Sequence, residues 1–395
     1  MDREWHPCQW LNAVTSGKTA RWRAVGTVPA IAGLVASAAV AIAASAVPAA
    51  AAPTAPAAPT APTALTSVTA VSCASATHCW AGAFDAKGAA IIATADGGAT
   101  WRVEYATARY DVTAIDCTSA AHCLAIGYPA EGSSAAFLET TDGGKVWRAR
   151  AVPRSLALPE ALSCANGSDC WAVGLADGRV NAAVARTTDG GRVWTRESIP
   201  ALQTTMSSSF GISCASPADC VVTGYAALTT TNGGKTWTKH ATPGGAPLGL
   251  VTCPSTTDCY AVFNVTSAVP SNEQTYLYTS TNGGVTWKDV LSQPRHVAGL
   301  GAVSCPSTST CVAVGYGYTP RRNGTDTLYG LSELTSTSGR HWAETTVAKA
   351  QALFADSCVV KTRDCIAGGS TSAGAVILKS ANDGVTWTSE PLPRA

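Results

Sequence analysis

The octapeptide TTDGGKVW occupies residues 140–147, and TTDGGRVW returns almost unchanged at residues 187–194. Five looser copies occur elsewhere in the chain: TADGGATW (94–101), TTNGGKTW (230–237), STNGGVTW (280–287), TSTSGRHW (335–342) and SANDGVTW (380–387). We call this tryptophan-ended segment the turn box. Its recurrence predicts a repeat architecture, because self-similarity at intervals of a few tens of residues is typical of stacked structural units.

Each turn box belongs to a unit of four short strands. In the first unit these are TAVSC, CWAGAF, AAIIAT and TWRVEYA, all apolar or β-prone and separated by turn residues. One such sheet buries too little by itself, whereas seven sheets stacked radially bury both faces of every sheet. We therefore predict an all-β fold, a seven-bladed β-propeller of four-stranded antiparallel blades over residues 65–394. The blades are expected at about 66–105, 110–151, 157–199, 208–240, 247–290, 298–346 and 352–391.

The cysteines repeat in phase with the turn boxes. Fourteen of the 15 cysteines form seven close pairs: Cys73/Cys79, Cys117/Cys123, Cys164/Cys170, Cys214/Cys220, Cys253/Cys259, Cys305/Cys311 and Cys358/Cys365. An even number at regular spacing in an exported chain indicates disulfides, and each pair would join the first two strands of a unit. Zinc would require tighter cysteine knuckles and further ligands, so we expect no metal and no cofactor.

The N-terminus has the order of an export signal. Lys18, Arg21 and Arg23 precede an apolar run at 24–47, and small-residue sites follow it. This order is typical of a secretory signal, which we place at residues 1–52. An uncleaved membrane anchor is the alternative, because the apolar run exceeds 18 residues, although Pro29 interrupts it. Residues 53–64, PTAPAAPTAPTA, read as a disordered Pro/Ala/Thr linker.

The charge pattern limits the class of partner. The net charge is +1 and no basic stripe is present, which argues against nucleic acid. We expect a monomeric protein that is secreted or extracellular, with anchoring at the cell surface as the alternative. Membrane contact would come only from the N-terminal segment, if that segment is not cleaved.

The turn box resembles the BNR or Asp-box repeat, S/T-x-D-x-G-x-T-W, of sialidase-type propellers. It is also similar to the repeats of photosystem II stability/assembly-factor-like propellers. The resemblance covers nearly all of the exported region and implies that the box is the turn between the third and fourth strands of a blade. The third positions are Asp96, Asp142, Asp189, Asn232, Asn282, Thr337 and Asn382, and the closing tryptophans are Trp101, Trp147, Trp194, Trp237, Trp287, Trp342 and Trp387.

Variation among the copies indicates a structural role for the box. A side chain that accepts amide hydrogens in a turn tolerates replacement of Asp by Asn, whereas a carboxylate in acid–base chemistry does not. The residue before the second cysteine is His78 or His122 in two units and Asp or Thr in the others. We interpret that position as a cap of the disulfide loop rather than a metal site.

The connections between the second and third strands differ most among units. They are long in the fifth unit (NVTSAVPSNEQT) and the sixth (YGYTPRRNGTDTLYG), and variable loops on a constant scaffold are where binding is usually found. The predicted binding residues are Tyr316, Tyr318, Arg321, Arg322, Asn323, Asp326 and Glu273. A solvated insertion that binds nothing is the alternative.

Two classes of function remain. A sialidase would need an F-R-I-P-like strand, yet none of the five phenylalanines is followed by arginine. Another glycoside hydrolase would need only two carboxylates across a sugar ring, and the available residues are Asp111, Glu131, Glu160, Asp177, Glu273 and Asp326. No spacing singles out a pair, and no GxSxG, HExxH or P-loop occurs. We therefore expect a non-catalytic scaffold that binds a protein or glycan at the cell surface, with a glycoside hydrolase as the alternative.

Overall fold

The computed structural model describes residues 64–85, 88–129, 134–176, 181–203, 210–265, 274–292, 297–319, 327–329, 332–336, 342–347 and 350–393. These ranges contain short β-strands and one 3-10 turn, Pro243–Gly245. Within them, no helix combines the length and apolar character that crossing a membrane requires. The predicted signal segment and almost all of the predicted linker lie outside these ranges.

Six antiparallel sheets have the four strands that the repeat predicts, paired in chain order. Sheet 1 contains β1 (Ser67–Cys73), β2 (Cys79–Phe84), β3 (Ala89–Thr94) and β4 (Arg102–Thr107). Sheet 2 contains β5 (Tyr110–Cys117), β6 (Cys123–Pro129), β7 (Ala136–Thr140) and β8 (Arg148–Ala151). Sheet 3 contains β9 (Leu158–Cys164), β10 (Cys170–Leu175), β11 (Ala182–Thr187) and β12 (Thr195–Arg196). Sheet 4 contains β13 (Gly211–Cys214), β14 (Cys220–Thr223), β15 (Ala227–Thr230) and β16 (Thr238–His240). Sheet 5 contains β17 (Val251–Thr252), β18 (Cys259–Val265), β19 (Gln274–Ser280) and β20 (Lys288–Ser292). Sheet 7 contains β26 (Ala352–Cys358), β27 (Cys365–Thr371), β28 (Gly374–Ser380) and β29 (Thr388–Glu390).

Sheet 6 departs from the prediction of seven equal four-stranded blades. It has five strands: β21 (Val297–Ser304), β22 (Cys311–Thr319), β23 (Thr327–Tyr329), β24 (Ser332–Ser336) and β25 (Ala343–Thr346). The extra strand β23 pairs with the far end of β22, while β24 pairs with its cysteine end. The prediction of four strands is therefore wrong for this unit, because the long connection after β22 supplies its own short strand.

The strand register of sheet 6 also differs by one residue from the alignment of the turn boxes in the sequence. In sheet 1 the second cysteine, Cys79, lies opposite Thr94, seven residues before the box tryptophan. In sheet 6 Cys311 lies opposite Ser336, which is only six residues before Trp342. Ser336 therefore stands where the other sheets have the first residue of the box, and Thr337, predicted at the third position, lies outside the described residues.

The hydrophobic core lies between successive sheets. Trp80 and Ile91 of sheet 1 pack with Val112 and Leu138 of sheet 2 in one buried cluster. Contacts continue from each sheet to the next, and the inner strand β1 also packs against β26 and β27 of the last sheet. Each sheet thus buries both faces, which is how a β-propeller of small blades acquires a core.

Side-chain hydrogen bonds also join the inner strands of adjacent sheets. At five junctions a serine Oγ accepts the N–H of the first cysteine of the next sheet, at distances of 2.8–3.0 Å. One of them, from the Cys73 N–H to Ser357 Oγ, connects the first sheet to the last. At the junction of sheets 2 and 3 the acceptor is the carboxylate of Asp116, 2.7 Å from the Cys164 nitrogen. These bonds fix the stagger of neighbouring sheets at the inner strands.

All seven cysteine pairs form disulfides, as the sequence predicts. Cys73 lies directly opposite Cys79 in the β1–β2 ladder, with their Cα atoms 4.0 Å apart. Closely spaced facing positions of an antiparallel pair suit a disulfide, and each bridge closes a short loop. Seven bridges therefore reinforce the seven hairpins one by one.

Candidate functional site

The strand order places two kinds of connection at each end of every sheet. One end carries the disulfide loops and the turn boxes, and we call it the disulfide rim. Among the described residues, one backbone hydrogen bond joins the two motifs in each of six sheets, such as the bond from the Gly97 N–H to the Thr77 carbonyl at 2.9 Å. The opposite end carries the connections between second and third strands and those between sheets, and we call it the connection rim.

Hydrogen bonds inside the turn box occupy its polar side chains. In sheet 2, the buried hydroxyl of Thr140 donates to Asp142 Oδ1 at 2.9 Å and accepts the Gly144 N–H at 2.9 Å. Asp142 Oδ1 also accepts the Val146 N–H at 3.0 Å. Gly143 and Gly144 have φ of 74° and 85°, in the left-handed region that glycine adopts without strain.

Exchange of Asp for Asn reverses one hydrogen bond of the box and preserves the others. In sheet 1 the Thr100 hydroxyl donates to Asp96 Oδ2 at 2.6 Å, and hydrogen bonds, chiefly this one, lower the pKa of Asp96 to about 2. In sheet 4 Asn232 Nδ2 instead donates to the Thr236 hydroxyl at 2.8 Å. Asp96 is therefore an ionised acceptor in a turn, a state that does not suit it to proton transfer at neutral pH.

The residue before the second cysteine caps its loop and, in sheet 2, reaches the next sheet. Asp219 Oδ2 accepts the Ser216 hydroxyl at 2.6 Å within its own loop. His122 Nε2 lies 3.0 Å from the Gly190 carbonyl of sheet 3, while its Nδ1 lies 3.0 Å from Thr118 Oγ1. Among the described residues, no group of three or more His, Cys, Asp or Glu side chains could hold a metal ion.

Most of the predicted binding residues lie outside the described residues. This applies to Glu273, Arg321, Arg322, Asn323 and Asp326, and also to the carboxylates Glu131 and Asp177. Tyr318 lies in β22, near the connection rim. Tyr316, two residues earlier, is half-buried and its ring covers Gly299 of the neighbouring strand β21, where a Cβ would come within 2.6 Å of it.

A cluster of aromatic side chains lies at the connection rim of sheets 1 and 2. It consists of Phe84, Tyr105, Tyr110 and Tyr128, all half-buried, and the first three pack against the core between these sheets. Burial raises the pKa of Tyr105. This group was not predicted from the sequence, although aromatic residues at strand ends on both sides of the exposed Arg109 were a visible signal. We call these four side chains the rim aromatic cluster.

A second group of aromatic side chains follows strands β18 and β19 of sheet 5 toward the same rim. Phe263 stacks with Tyr276, which stacks with the buried Tyr278, at centroid distances of 6.5 and 6.2 Å. The Tyr276 hydroxyl donates to Gln274 Oε1 at 2.7 Å. Tyr225, in the short connection of sheet 4, is 36% exposed. The connection rim therefore presents partly exposed aromatic surface on several sheets.

Two half-buried carboxylates of the inner strands, Asp116 and Glu160, lie at junctions between sheets. Burial raises the pKa of Asp116 to about 6, and the hydrogen bond from the Cys164 amide only partly offsets it. Burial likewise raises the pKa of Glu160 to about 7, while its Oε2 accepts the Phe210 N–H of sheet 4 at 3.1 Å. Both are engaged in joining sheets. Of the described carboxylates that were available to a glycoside hydrolase, Asp111 lies nearest the connection rim, and burial raises its pKa.

Glu104, on the outer strand β4, is likewise packed at a junction between sheets. Trp80 Nε1 and Arg102 Nη2 donate to Glu104 at 2.9 and 2.8 Å, and a Cβ on Gly144 of the next sheet would overlap this carboxylate. Burial raises the pKa of Glu104. This side chain is thus packed between a blade and the turn box of its neighbour, away from the connection rim.

The chain was also compared with known proteins. No family model and no curated protein matches it. Solved structures match it over 82% of its length. YCF48 bound to D1 peptide is 15% identical, is covered over 96% of its chain and superposes with a TM-score of 0.56. YCF48 from Cyanidioschyzon merolae is 17% identical and is covered over 98% of its chain, also with a TM-score of 0.56.

A glycoside hydrolase has the same likeness over part of its length. The GH74 xyloglucanase from Xanthomonas campestris is 15% identical, with a TM-score of 0.58, and this chain covers 53% of it. Identities this low establish similarity of fold. The chain is accordingly a β-propeller of four-stranded antiparallel blades, one of which carries an additional strand.

Proposed function

We propose that this protein is an exported, non-catalytic scaffold that binds a protein or peptide through its connection rim. The proposal includes a signal at residues 1–52, a linker at 53–64 and a single ring of seven blades at 65–394. The observation that carries it is the contrast between the two rims. At the disulfide rim the polar groups of the turn boxes and loops bond to one another, whereas the connection rim retains partly exposed aromatic side chains.

Aromatic and arginine side chains suit a binding surface. Tyrosine combines a large apolar area with a hydroxyl, and both tyrosine and arginine are enriched among residues that dominate binding energies. The proposed surface includes the rim aromatic cluster, Tyr225 and the predicted residues Glu273, Tyr316, Tyr318, Arg321, Arg322, Asn323 and Asp326. The similar fold of YCF48 bound to D1 peptide supports a peptide as the partner.

The test begins with the exported protein on peptide and glycan arrays and continues with variants against each binder found. Replacing both Arg321 and Arg322 with Ala should weaken binding by about 1–3 kcal/mol, or roughly 5- to 150-fold. Lys235→Ala is the matched control, because Lys235 is an exposed cation at the disulfide rim. Equal binding by the wild type and the double variant, or an equal loss in the control, would contradict the proposed surface.

A glycoside hydrolase is the second candidate, and the observation that favours it is the similar fold of the GH74 xyloglucanase. Among the described carboxylates, Glu160 is the one to test, because burial raises its pKa to about 7, in the range of a general acid. Release of reducing ends from a set of extracellular glycans should be measured for the wild type and for Glu160→Gln. Turnover by the wild type that is lost in the variant would replace the scaffold with an enzyme.

A further inference from the structure

One arginine fills the gap between sheets 3 and 4 at the disulfide rim. Arg186 donates from Nη1 to the Gly233 carbonyl of the next turn box and from Nη2 to Asp169 Oδ1 at 2.8 Å. Its guanidinium carbon lies 4.7 Å from the centre of the Trp171 ring. The guanidinium is therefore held by a carbonyl, a carboxylate and an aromatic face, three groups that suit its flat, charged fork.

The repeat defines the equivalent positions at the next junction. Arg186 pairs with Trp171 directly after the second cysteine of sheet 3, and Thr229 pairs with Val221 directly after the second cysteine of sheet 4. The acceptors are retained, because Asp219 stands where Asp169 does and Gly283 stands where Gly233 does. Thus the smaller side chains of Thr229 and Val221 replace the arginine and the tryptophan. The two groups that accept hydrogen bonds from the arginine in sheet 3 have equivalents in sheets 4 and 5.

A cleft of about 90 Å³ lies at this junction of sheets 4 and 5. Its lining includes Asp219, Val221, Thr229, Asn282, Gly283 and Val285. A water molecule needs about 10–15 Å³ of such volume, so the cleft can accept a group of several heavy atoms. Hence Thr229 and Val221 of sheet 4 leave a space at the position that the Arg186 side chain occupies in sheet 3.

The polar groups of the cleft match a cation. Within the described residues, the hydrogen bonds of Asp219 use Oδ2 and its backbone, and none of them uses Oδ1. The Gly283 N–H donates to the Thr257 carbonyl within sheet 5, and its own carbonyl is the equivalent of the acceptor of Arg186. His240 Nε2 lies 2.9 Å from Thr229 Oγ1, and burial lowers the pKa of this imidazole, so it is neutral at pH 7 and does not repel a cation.

We propose that the cleft between sheets 4 and 5 binds a guanidinium group, as presented by an arginine side chain of a partner peptide. The guanidinium bridges Asp219 and the Gly283 carbonyl, and its aliphatic stem lies along Val221 and the 41% exposed Val285. A planar fork fits two acceptors in different directions better than the compact ammonium of lysine does. The site lies at the disulfide rim, so it stands independently of the partner surface proposed at the connection rim.

The experiment titrates the exported protein with N-acetyl-arginine amide at millimolar concentrations and monitors binding by NMR shift changes and calorimetry. N-acetyl-citrulline amide has the same shape without the charge, and N-acetyl-lysine amide has the charge without the fork. We expect saturable binding of the arginine probe, with citrulline and lysine probes weaker by about tenfold or more. Absence of saturable binding, or equal binding of the citrulline probe, would overturn the proposal.

Three variants locate the site. Thr229→Arg restores the residue of sheet 3, so it should abolish probe binding and raise Tm. Asp219→Asn should weaken binding by about tenfold or more, because it removes the charge that the cation meets. Asp258→Asn is the matched control, since Asp258 caps the next disulfide loop by accepting Ser255 Oγ at 2.8 Å and does not line the cleft. Unchanged binding in Thr229→Arg, or an equal loss in Asp258→Asn, would refute the site.

Discussion

Asp116 provides the sharpest test of how the sheets are joined. At five other junctions a serine hydroxyl accepts the amide of the next cysteine, and Asp116 places a carboxylate in the same position. A carboxylate accepts an N–H more strongly than a hydroxyl does, but it loses its hydration when it is buried. Burial outweighs the hydrogen bond here, since the pKa of Asp116 rises from 3.8 to about 6. The informative substitution is Asp116→Ser.

The direction of the pH effect follows from proton linkage. Because its pKa is higher in the folded chain, Asp116 binds a proton more tightly when folded than when unfolded. The folded state is favoured by this difference below about pH 4, and the advantage is lost as pH rises through about 6. The shift is 6 minus 3.8, or about 2.2 units, which corresponds to roughly 3 kcal/mol at 1.36 kcal/mol per unit. Above pH 6 the ionised carboxylate therefore lowers the free energy of unfolding by up to that amount.

The assay is urea-induced unfolding of the disulfide-intact protein between about pH 4 and pH 8. Asp116→Ser should match the wild type near pH 4 and exceed it by up to about 3 kcal/mol above pH 7. Titration of Glu160 contributes equally to both proteins and cancels in the difference. Ser72→Asp is the reciprocal variant, and it should introduce the same pH dependence at the junction of sheets 1 and 2. Parallel pH profiles for wild type and Asp116→Ser would refute this account of the junction.

Three further substitutions test other parts of the fold by the same unfolding measurement. Thr140→Val should cost about 1–3 kcal/mol because it leaves the amide and carboxylate of a turn box without their shared hydroxyl, while the exposed neighbour Thr141→Val should cost little. Glu160→Gln should raise stability above about pH 7 and leave it nearly unchanged near pH 4, since the pKa of Glu160 is raised; stability that fell equally with pH in the variant would contradict this. Trp194→Ala should cost about 3–5 kcal/mol, because the indole is buried and stacks on an aromatic ring at 4.1 Å, whereas Val193→Ala, 62% exposed, should stay within about 0.5 kcal/mol.

The features predicted from the sequence are those that repeat locally. Alternating apolar runs, turn residues and paired cysteines indicated the strands and the seven disulfides, because each is set by residues close together in the chain. The strand order then placed the disulfide loops and turn boxes at one end of each sheet, as their hydrogen bonds show. A motif repeated seven times also averages out the irregularities of any one copy.

The irregular unit was predicted less well because its sequence admits two alignments. TSTSGRHW satisfies the box pattern with Thr335 in the first position, and strand pairing selects Ser336 instead. Pairing depends on the neighbouring strand, so the box alone does not determine its own register. The additional strand β23 likewise depends on pairing with residues 317–319 at the end of β22. A strand of only three residues is too short to show a recognisable pattern in the sequence.

Contacts between sheets were beyond the sequence analysis for a different reason. They join equivalent positions of successive units, as from Asp116 to the Cys164 amide, so one unit inspected alone shows neither partner. Alignment of the units on their cysteines would have exposed a recurrent serine before the first cysteine and the single carboxylate among them. His122 was predicted as a cap of its own loop, and its contact with the Gly190 carbonyl of the next sheet was not foreseen.

Differences between equivalent positions therefore carry more functional information than the repeated motif itself. The residue before the turn box is Arg186 in sheet 3, Thr229 in sheet 4 and Lys379 in sheet 7. Arg186 bonds to the next box, and Lys379 Nζ would lie 3.1 Å from a Cβ on Gly97, so both cations cover a box glycine. Thr229 does not extend as far, although the acceptors beyond it are the same as those of Arg186. A repeat protein can thus form a binding site by shortening one internal side chain, because the neighbouring units show which chemical group the shortened position would accept.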